Sequence, residues 1–286
     1  MANLNKLFTK TLFIVICLIS SGVAIAGGGW TLDKGSGYLK LGQSAIFAGS
    51  YYTPAGHIID LPATFKYFST SIYFEYGLSD KVDVMGYVPF LSRGVINQRE
   101  FPDGTLIERG DDVTSFGDTD IGLKYGLIRN QPYVLSATLT FGLPIGNPKG
   151  GAGESIQTGD GEFNQMLTFD LSHSFGKYYY TLTTGFNNRT NNFSDEFRYG
   201  FEIGASVSKF FFITKILGVK PINNGNATVS EEGGFFSNRI EYLAITPEIA
   251  YQASNKIGFT ASAGFAAYGK NVLASPNFSV GIYTKF

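Results

Sequence analysis

Apolar and polar side chains alternate along most of the chain with a period of two. In residues 68–78, for example, Ile72 and Phe74 fall on one parity while Tyr73 and Glu75 fall on the other. This period is that of a β-strand with one apolar face and one polar face. Stretches of this kind recur about twelve times, which predicts an all-β protein. Two of the stretches are irregular, so about ten or about fourteen strands stay open as alternatives.

The connections between these stretches alternate between short turns and long polar loops. Residues 79–81 form a short turn, whereas residues 49–62, 96–115, 146–159 and 220–237 are long and polar. Bacterial transmembrane barrels have short turns at one end and longer loops at the other. Closure of the sheet also leaves no strand edge exposed to lipid. The sequence therefore predicts an antiparallel up-and-down transmembrane β-barrel. A soluble β protein is the alternative, although it does not need alternating loop lengths.

Aromatic residues concentrate near the ends of the predicted strands. Tyr178, Tyr180, Phe210, Phe211 and Tyr251 are examples. A transmembrane barrel carries such residues as belts at its two membrane–water interfaces. We therefore expect these side chains to belong to an interfacial girdle.

The last predicted strand, residues 276–286, has the same alternation, with Phe278 and Ile282 on its apolar parity. We expect it to close the barrel against the strand that begins near Tyr38. A C-terminal strand that ends in an aromatic residue resembles the closing strand of bacterial outer-membrane barrels, where that residue acts as an assembly signal. The resemblance implies this role for Phe286.

Composition supports strands and turns and argues against several classes of function. Gly (36), Phe (26) and Tyr (17) are abundant, which favours strands and tight turns over a helical bundle. The formal net charge of −1 provides no field that would attract nucleic acid. The mean hydropathy is near zero, as suits a barrel in which only alternate residues meet lipid.

The N-terminus has the features of a secretory signal peptide. A basic start precedes the apolar run of residues 12–18, and a small-residue cleavage site follows at residues 24–26. The sequence thus predicts a cleaved signal peptide over residues 1–26 and one barrel domain over residues 27–286. The expected destination is the outer membrane of a Gram-negative cell.

Several short motifs are similar to those of one family. Residues 76–84 (Tyr-Gly-Leu-Ser-Asp-Lys-Val-Asp-Val) and 88–90 (Val-Pro-Phe) form a hairpin motif. Residues 117–125 (Gly-Asp-Thr-Asp-Ile-Gly-Leu-Lys-Tyr) and 143–146 (Leu-Pro-Ile-Gly) follow it. Together they resemble the outer-membrane barrels of the phenol-degradation MetA-pathway family. The resemblance implies a channel-like barrel for small compounds, aromatic or apolar ones among them. No binding residue carries over, because the matching positions are turns and strand starts.

In a barrel, the polar parity of each strand faces the lumen. Eight charged residues on this parity are the candidates for lining the lumen: Lys40, Glu75, Asp83, Asp118, Asp120, Lys124, Asp170 and Glu202. Arg198, Glu248 and Lys285 share the parity. Two readings stay open for them. They line a pore with a mild preference for cations, or they form a network of salt bridges and hydrogen bonds that fills the lumen.

Enzymatic chemistry has less support. His57 in the first loop could pair with Asp111 or Asp112 at the outer rim, as a hydrolase would require, but no nucleophile motif accompanies them. The glycine-rich run at residues 150–153 lacks the Gly-Lys-Ser/Thr of a phosphate-binding loop and predicts a mobile loop. We therefore expect no enzyme activity, no cofactor and no metal site.

These observations lead to one main hypothesis and two alternatives. The main hypothesis is a passive channel or transporter for small molecules, with outer-membrane lipid, the barrel-assembly machinery and an unidentified solute as partners. The first alternative is a non-conducting structural or surface-interaction barrel that presents its long loops. The second is a hydrolase at the barrel rim.

Overall fold

The structure, a computed structural model, describes residues 28–228 and 236–286. The predicted signal peptide at residues 1–26 lies outside the described residues. Within the described ranges, no helix is long and apolar enough to cross a membrane.

Twelve antiparallel strands form one closed barrel, in which each strand pairs with the barrel strands before and after it. The strands are β1 (Gly37–Tyr52), β2 (Ile58–Ser79), β3 (Val82–Ile96), β4 (Thr119–Ile128), β5 (Tyr133–Leu143), β6 (Asn164–Phe175), β7 (Tyr178–Arg189), β8 (Glu196–Val207), β9 (Phe210–Pro221), β10 (Glu241–Gln252), β11 (Ile257–Lys270) and β12 (Asn277–Lys285). The predicted fold class is confirmed, with twelve strands rather than ten or fourteen.

Some backbone pairing extends beyond the predicted strands. The sequence predicts a polar loop over residues 49–62, whereas the ladder of β1 and β2 includes the pairs Tyr51–Ile59 and Tyr52–Ile58. Within the predicted loop 96–115, the short strand Asp111–Ser115 pairs with β3. Backbone hydrogen bonds do not require an apolar face, so a ladder can continue past the apolar band of the outer surface, and the alternation ends before the strand does.

The barrel closes where β12 pairs with β1. The register runs from Tyr38 opposite Lys285 to Ile46 opposite Asn277. The amide of Phe286 donates to the Gly37 carbonyl at 3.0 Å, and the Gly37 amide donates to the Phe286 carbonyl at 2.7 Å. The expected pairing of the last strand with the strand near Tyr38 is therefore confirmed.

The two ends of the barrel differ. The turn end carries the start of β1, the end of β12 and the short turns that follow β2, β4, β6, β8 and β10. The loop end carries the remaining connections, which include the long segments 97–118 and 144–163. In bacterial barrels the short turns face the periplasm and the longer loops face the outside.

The outer surface of the barrel is apolar and its packed core lies inside. On β1, Leu39 and Leu41 are 40% and 46% exposed, whereas the intervening parity, which includes Tyr38, is buried. A core cluster inside the turn end joins Tyr38 to Tyr283, and Phe211 packs against it. The expectation that Phe211 belongs to the girdle is wrong, because the alternation of β9 turns this ring inward while Phe210 points outward.

The contact between Phe286 and Gly37 gives a test of the seam. The ring of Phe286 lies where a side chain on Gly37 would be, 2.3 Å from its Cβ position. We expect Phe286→Ala to lower the yield of folded barrel, because the seam loses this packing while its backbone bonds remain. The yield is measured as the heat-modifiable fraction on a gel. Phe278→Ala, which removes an outward ring of the same strand, is the control. Equal losses in the two variants would contradict a role for the seam contact.

Candidate functional site

A cavity of about 450 Å³ lies in the interior of the barrel. Its walls come from β12 and β1 to β3 on one side of the barrel and from β7 to β10 on the other. The charged and tyrosine side chains in these walls are Tyr38, Lys40, Tyr73, Tyr87, Tyr179, Glu202, Lys215 and Glu248. The cavity is therefore a polar space with several aromatic rings in its wall.

Two ammonium groups share one carboxylate in the wall of this cavity. Nζ of Lys215 lies 3.4 Å and Nζ of Lys40 3.9 Å from Oε2 of Glu248. The fourth charged group of the wall, Glu202, accepts a hydrogen bond of 2.7 Å from the Tyr179 hydroxyl. The two positive and two negative charges balance, and each has a partner of the opposite sign or a hydroxyl donor.

Glu75 and Lys124 form a buried ion pair. Nζ of Lys124 lies 3.6 Å from Oε2 of Glu75, and both side chains are almost fully buried. The Tyr73 hydroxyl donates a further hydrogen bond to Glu75. A buried pair of this kind stabilises the fold only while both partners are present, because a single buried charge is costly.

The remaining strand candidates lie outside the wall of the cavity. Asp83 is fully buried and accepts the amide hydrogen of Leu32. Asp170 accepts a hydrogen bond of 2.6 Å from the Thr183 hydroxyl. Asp120 is half-buried on β4. Of the eight residues that the sequence singles out, the structure thus places only Lys40 and Glu202 in the wall of the cavity.

Residues 144–163, which we call the inward loop, fold into the loop end of the barrel. Ile156 of this loop is fully buried and belongs to a cluster with Ile46 and Phe65, which point inward from β1 and β2. Its side chain also fills the space over Gly94 of β3, where a Cβ would lie 2.6 Å from it. The loop starts and ends on β5 and β6, so it reaches across part of the lumen to the opposite wall.

Two carboxylates hold the inward loop. Asp118 accepts hydrogen bonds from the amides of Gly146 and Asp160, at 2.9 and 2.8 Å. Asp111 accepts from successive amides at the glycine-rich tip, including that of Ala152 at 2.9 Å. The run that the sequence assigns to a mobile loop is therefore tied to the neighbouring connection, because its glycines expose amides to an acceptor that is distant in sequence.

A network centred on Arg189 joins the inward loop to the barrel wall. Its guanidinium group donates to Asp160 at 2.7 Å, to Glu162 at 2.8 Å and to Glu196 at 3.0 Å. Arg198 donates to the other oxygen of Glu196 at 2.6 Å. A planar guanidinium with several donors suits this arrangement, in which one cation orders three carboxylates.

The tyrosines of the cavity and Lys215 are not among the residues predicted from the sequence. The prediction rests on charge in regular strands, whereas Tyr38 and Tyr179 lie on the same parity as Lys40 and Thr181. The alternation therefore indicates that these tyrosines point inward. Their residue type does not, because a tyrosine suits both a lumen wall and a membrane interface. Tyr87 follows the same parity on β3 and is 38% exposed within the cavity wall.

The residues considered for rim chemistry lie apart from the cavity. His57 is exposed in the turn between β1 and β2. Asp111 is bonded to the inward loop, and Asp112 forms a surface ion pair with Arg93 at 3.2 Å. The second histidine of the chain, His173, stacks on Tyr133 near the turn end, with ring centroids 4.4 Å apart. Among residues 28–228 and 236–286, no cluster of three or more His, Cys, Asp or Glu side chains has the geometry of a metal site.

Comparison with known proteins shows the fold. No family model and no curated protein sequence matches the chain. The structure is similar to the COG4313 outer membrane channel from Pseudomonas putida F1, with a TM-score of 0.65, 13% identity, and coverage of 92% of this chain and 100% of that one. It is also similar to the KdgM porin, with a TM-score of 0.50, 6% identity, and coverage of 87% and 99%. The resemblance to outer-membrane barrels is therefore confirmed as a likeness of fold.

The buried pair of Glu75 and Lys124 gives a stability test. We expect Lys124→Met to lower the free energy of unfolding by about 3–5 kcal/mol, because it leaves the Glu75 carboxylate buried without its cation. Adding Glu75→Gln to this variant recovers most of the loss. Urea unfolding followed by heat-modifiable mobility measures the effect, with Lys256→Met in an exposed turn as the control. A double variant as unstable as the single one would contradict this explanation.

The inward loop gives a pH test. Burial raises the pKa of Asp160 to about 6, the Asp118 charge adds to this rise and Arg189 opposes it. Because the folded pKa lies above the ordinary value of 3.8, protonation stabilises the folded loop by at most about 3 kcal/mol. This contribution is complete below pH 3.8 and is lost as the pH rises through about 6.

We therefore expect the Gly146 amide to exchange its hydrogen more slowly at pH 5 than at pH 7, after correction for the intrinsic rate. Asp160→Asn removes this extra pH dependence, whereas Asp103→Asn in the exposed connection after β3 retains it. An unchanged pH dependence in Asp160→Asn would show that another group is responsible.

Proposed function

We propose that this protein is a passive channel of the outer membrane that admits small solutes. The observation that carries the proposal is the polar cavity of about 450 Å³ inside a closed barrel whose outer surface is apolar. An apolar exterior suits lipid, and polar side chains inside support water and solutes. The likeness of fold to outer-membrane channels supports the same conclusion.

The walls of the cavity bear on the kind of solute. Tyr73, Tyr87 and Tyr179 provide rings and hydroxyl groups, while Lys40 and Glu202 provide charges. Rings give a planar solute a surface to pack on, and the polar groups replace its bonds to water. We therefore propose small solutes that combine a ring with polar substituents. A purely apolar solute would displace water from these polar groups without replacing its hydrogen bonds.

Export and assembly form part of the proposal. A signal peptide over residues 1–26 would direct the chain across the inner membrane and be removed there. The barrel-assembly machinery would then insert the barrel into outer-membrane lipid, with Phe286 as its signal. The apolar parity of the strands supports the lipid contact, since side chains such as Leu41 and Ile282 are exposed on the outer surface.

A non-conducting barrel is the second candidate, and one observation favours it. Chain segments lie inside both ends of the barrel. At the loop end, Ile156 of the inward loop packs against the wall. At the turn end, the amides of Gly29 and Leu32, which precede β1, donate hydrogen bonds to the wall. Such a barrel would present its long loops to a partner without passing solute. The two candidates differ in whether well-inserted protein conducts ions.

Ion selectivity tests the channel. We expect ion conductance in planar bilayers, and we expect Glu248→Gln to shift the reversal potential toward anion permeation, because Lys40 and Lys215 lose their shared carboxylate. Lys215→Met shifts it in the opposite direction. Glu108→Gln at the exposed rim is the matched control and leaves it unchanged. Swelling of liposomes in hydroxylated aromatic solutes and in sugars of similar size then compares the solute classes. Silent bilayers with correctly inserted protein would favour the non-conducting barrel.

A further inference from the structure

The residues that precede β1 run through the interior of the turn end. We call residues 28–36 the lumen segment. Its last part is held at β2, where the Gly35 amide donates to the Gly77 carbonyl at 2.8 Å and the Gly77 amide donates to the Ser36 carbonyl at 3.0 Å. The segment therefore ends beside the first strands of the barrel.

A buried carboxylate fixes the middle of the lumen segment. The Leu32 amide lies 3.2 and 3.1 Å from the two carboxylate oxygens of Asp83, which is fully buried on β3. The Thr31 hydroxyl donates to the Asp80 carbonyl at 3.1 Å. A charge-assisted hydrogen bond in a buried position holds a chain segment more firmly than an exposed one does.

The first part of the lumen segment lies at the opposite wall of the barrel. The Gly29 amide donates to the Ser172 hydroxyl of β6 at 2.8 Å. The Trp30 ring packs edge-on against Tyr179 of β7, with ring centroids 5.8 Å apart. In a barrel of twelve strands, β7 lies six strands from β1 in either direction, so the segment crosses the lumen from wall to wall.

The backbone of the lumen segment lies directly against this wall. A Cβ on Gly29 would be 2.7 Å from the Asp170 carbonyl, and a Cβ on Gly28 would be 2.4 Å from the Thr181 hydroxyl. Gly28 also has a φ of +64°, which favours glycine. Any side chain at either position would push the segment away from β6 and β7.

Trp30 thus lies next to the cavity, because its partner Tyr179 belongs to the cavity wall. We propose that Trp30 is a specificity-determining residue that sets the largest solute able to leave the cavity at the turn end, with Asp83 and Ser172 as positioning residues. This inference rests on the proposed channel function. A tryptophan suits the role because it is the largest side chain and has only two side-chain torsions.

Trp30→Ala tests the proposal directly. We expect a conductance several times that of the wild type and entry of larger solutes in liposome swelling, since the ring is removed while the segment keeps its backbone bonds. Gly29→Ala should have a similar effect by displacing the segment. Gly49→Ala is the matched control, because its Cβ would meet no atom within 4 Å, and it retains wild-type values.

Tryptophan fluorescence provides a readout that does not depend on conduction. The chain has a single tryptophan, so quenching by acrylamide reports on Trp30 alone. We expect weak quenching in the folded wild type and stronger quenching in two variants. In Gly29→Ala the added methyl group pushes the segment away from β6, and in Asp83→Asn the Leu32 amide loses its charged acceptor. Equal quenching in all of these proteins would overturn the placement of the segment.

The possible outcomes separate this inference from the proposed function. A wild type that conducts with the same solute limit as Trp30→Ala overturns the role of Trp30 and leaves the channel in place. A silent wild type with a conducting Trp30→Ala supports the role of Trp30. Silence of every variant in correctly inserted barrels overturns the channel itself, and with it the selectivity role, whatever the quenching shows.

Discussion

The closure of the sheet on itself is the constraint on which the rest of the structure depends. Lipid offers no hydrogen bonds to a strand edge, so each backbone group in the membrane needs a partner within the barrel. The pairing of β12 with β1, from Tyr38–Lys285 to Ile46–Asn277, removes the last two edges. Closure also separates two environments. One parity of every strand then forms the apolar outer surface, and the other faces an enclosed lumen whose polar groups must satisfy one another or water.

The lumen meets this second requirement with protein partners at both ends and leaves a cavity between them. At the loop end, Arg189 gathers three carboxylates and Ile156 packs on the facing wall. At the turn end, Asp83 binds the backbone of the lumen segment. The charges that remain in the wall of the cavity are close to balanced, as in the pairing of Glu248 with two lysines. The same polar parity therefore serves both to fix inserted segments and to line the space that remains.

The sequence predicts what depends on local periodicity and leaves open what depends on contacts between distant segments. Alternation along each strand predicts the barrel, its closing pair and the inward side of Lys40 and Glu202, since a period of two fixes the face of every residue in a strand. It cannot show that Asp118 binds the amides of the inward loop, because loop residues have no period and the partners are 28 and 42 residues apart. Phe211 illustrates the limit within a strand. Aromatic character suggests a membrane interface, but the parity of β9 places the ring inside.

The course of the lumen segment has a consequence for the order of folding. Its Gly29 and Trp30 bind β6 and β7, so these contacts are long-range: Gly29 and Ser172 are 143 residues apart. The lumen segment therefore cannot reach its final position until β6 and β7 have formed the wall that receives it. Contacts of such high sequence separation form late, because the intervening chain must be ordered first. The lumen segment precedes every barrel strand in the chain, yet it is among the last parts to reach its final position.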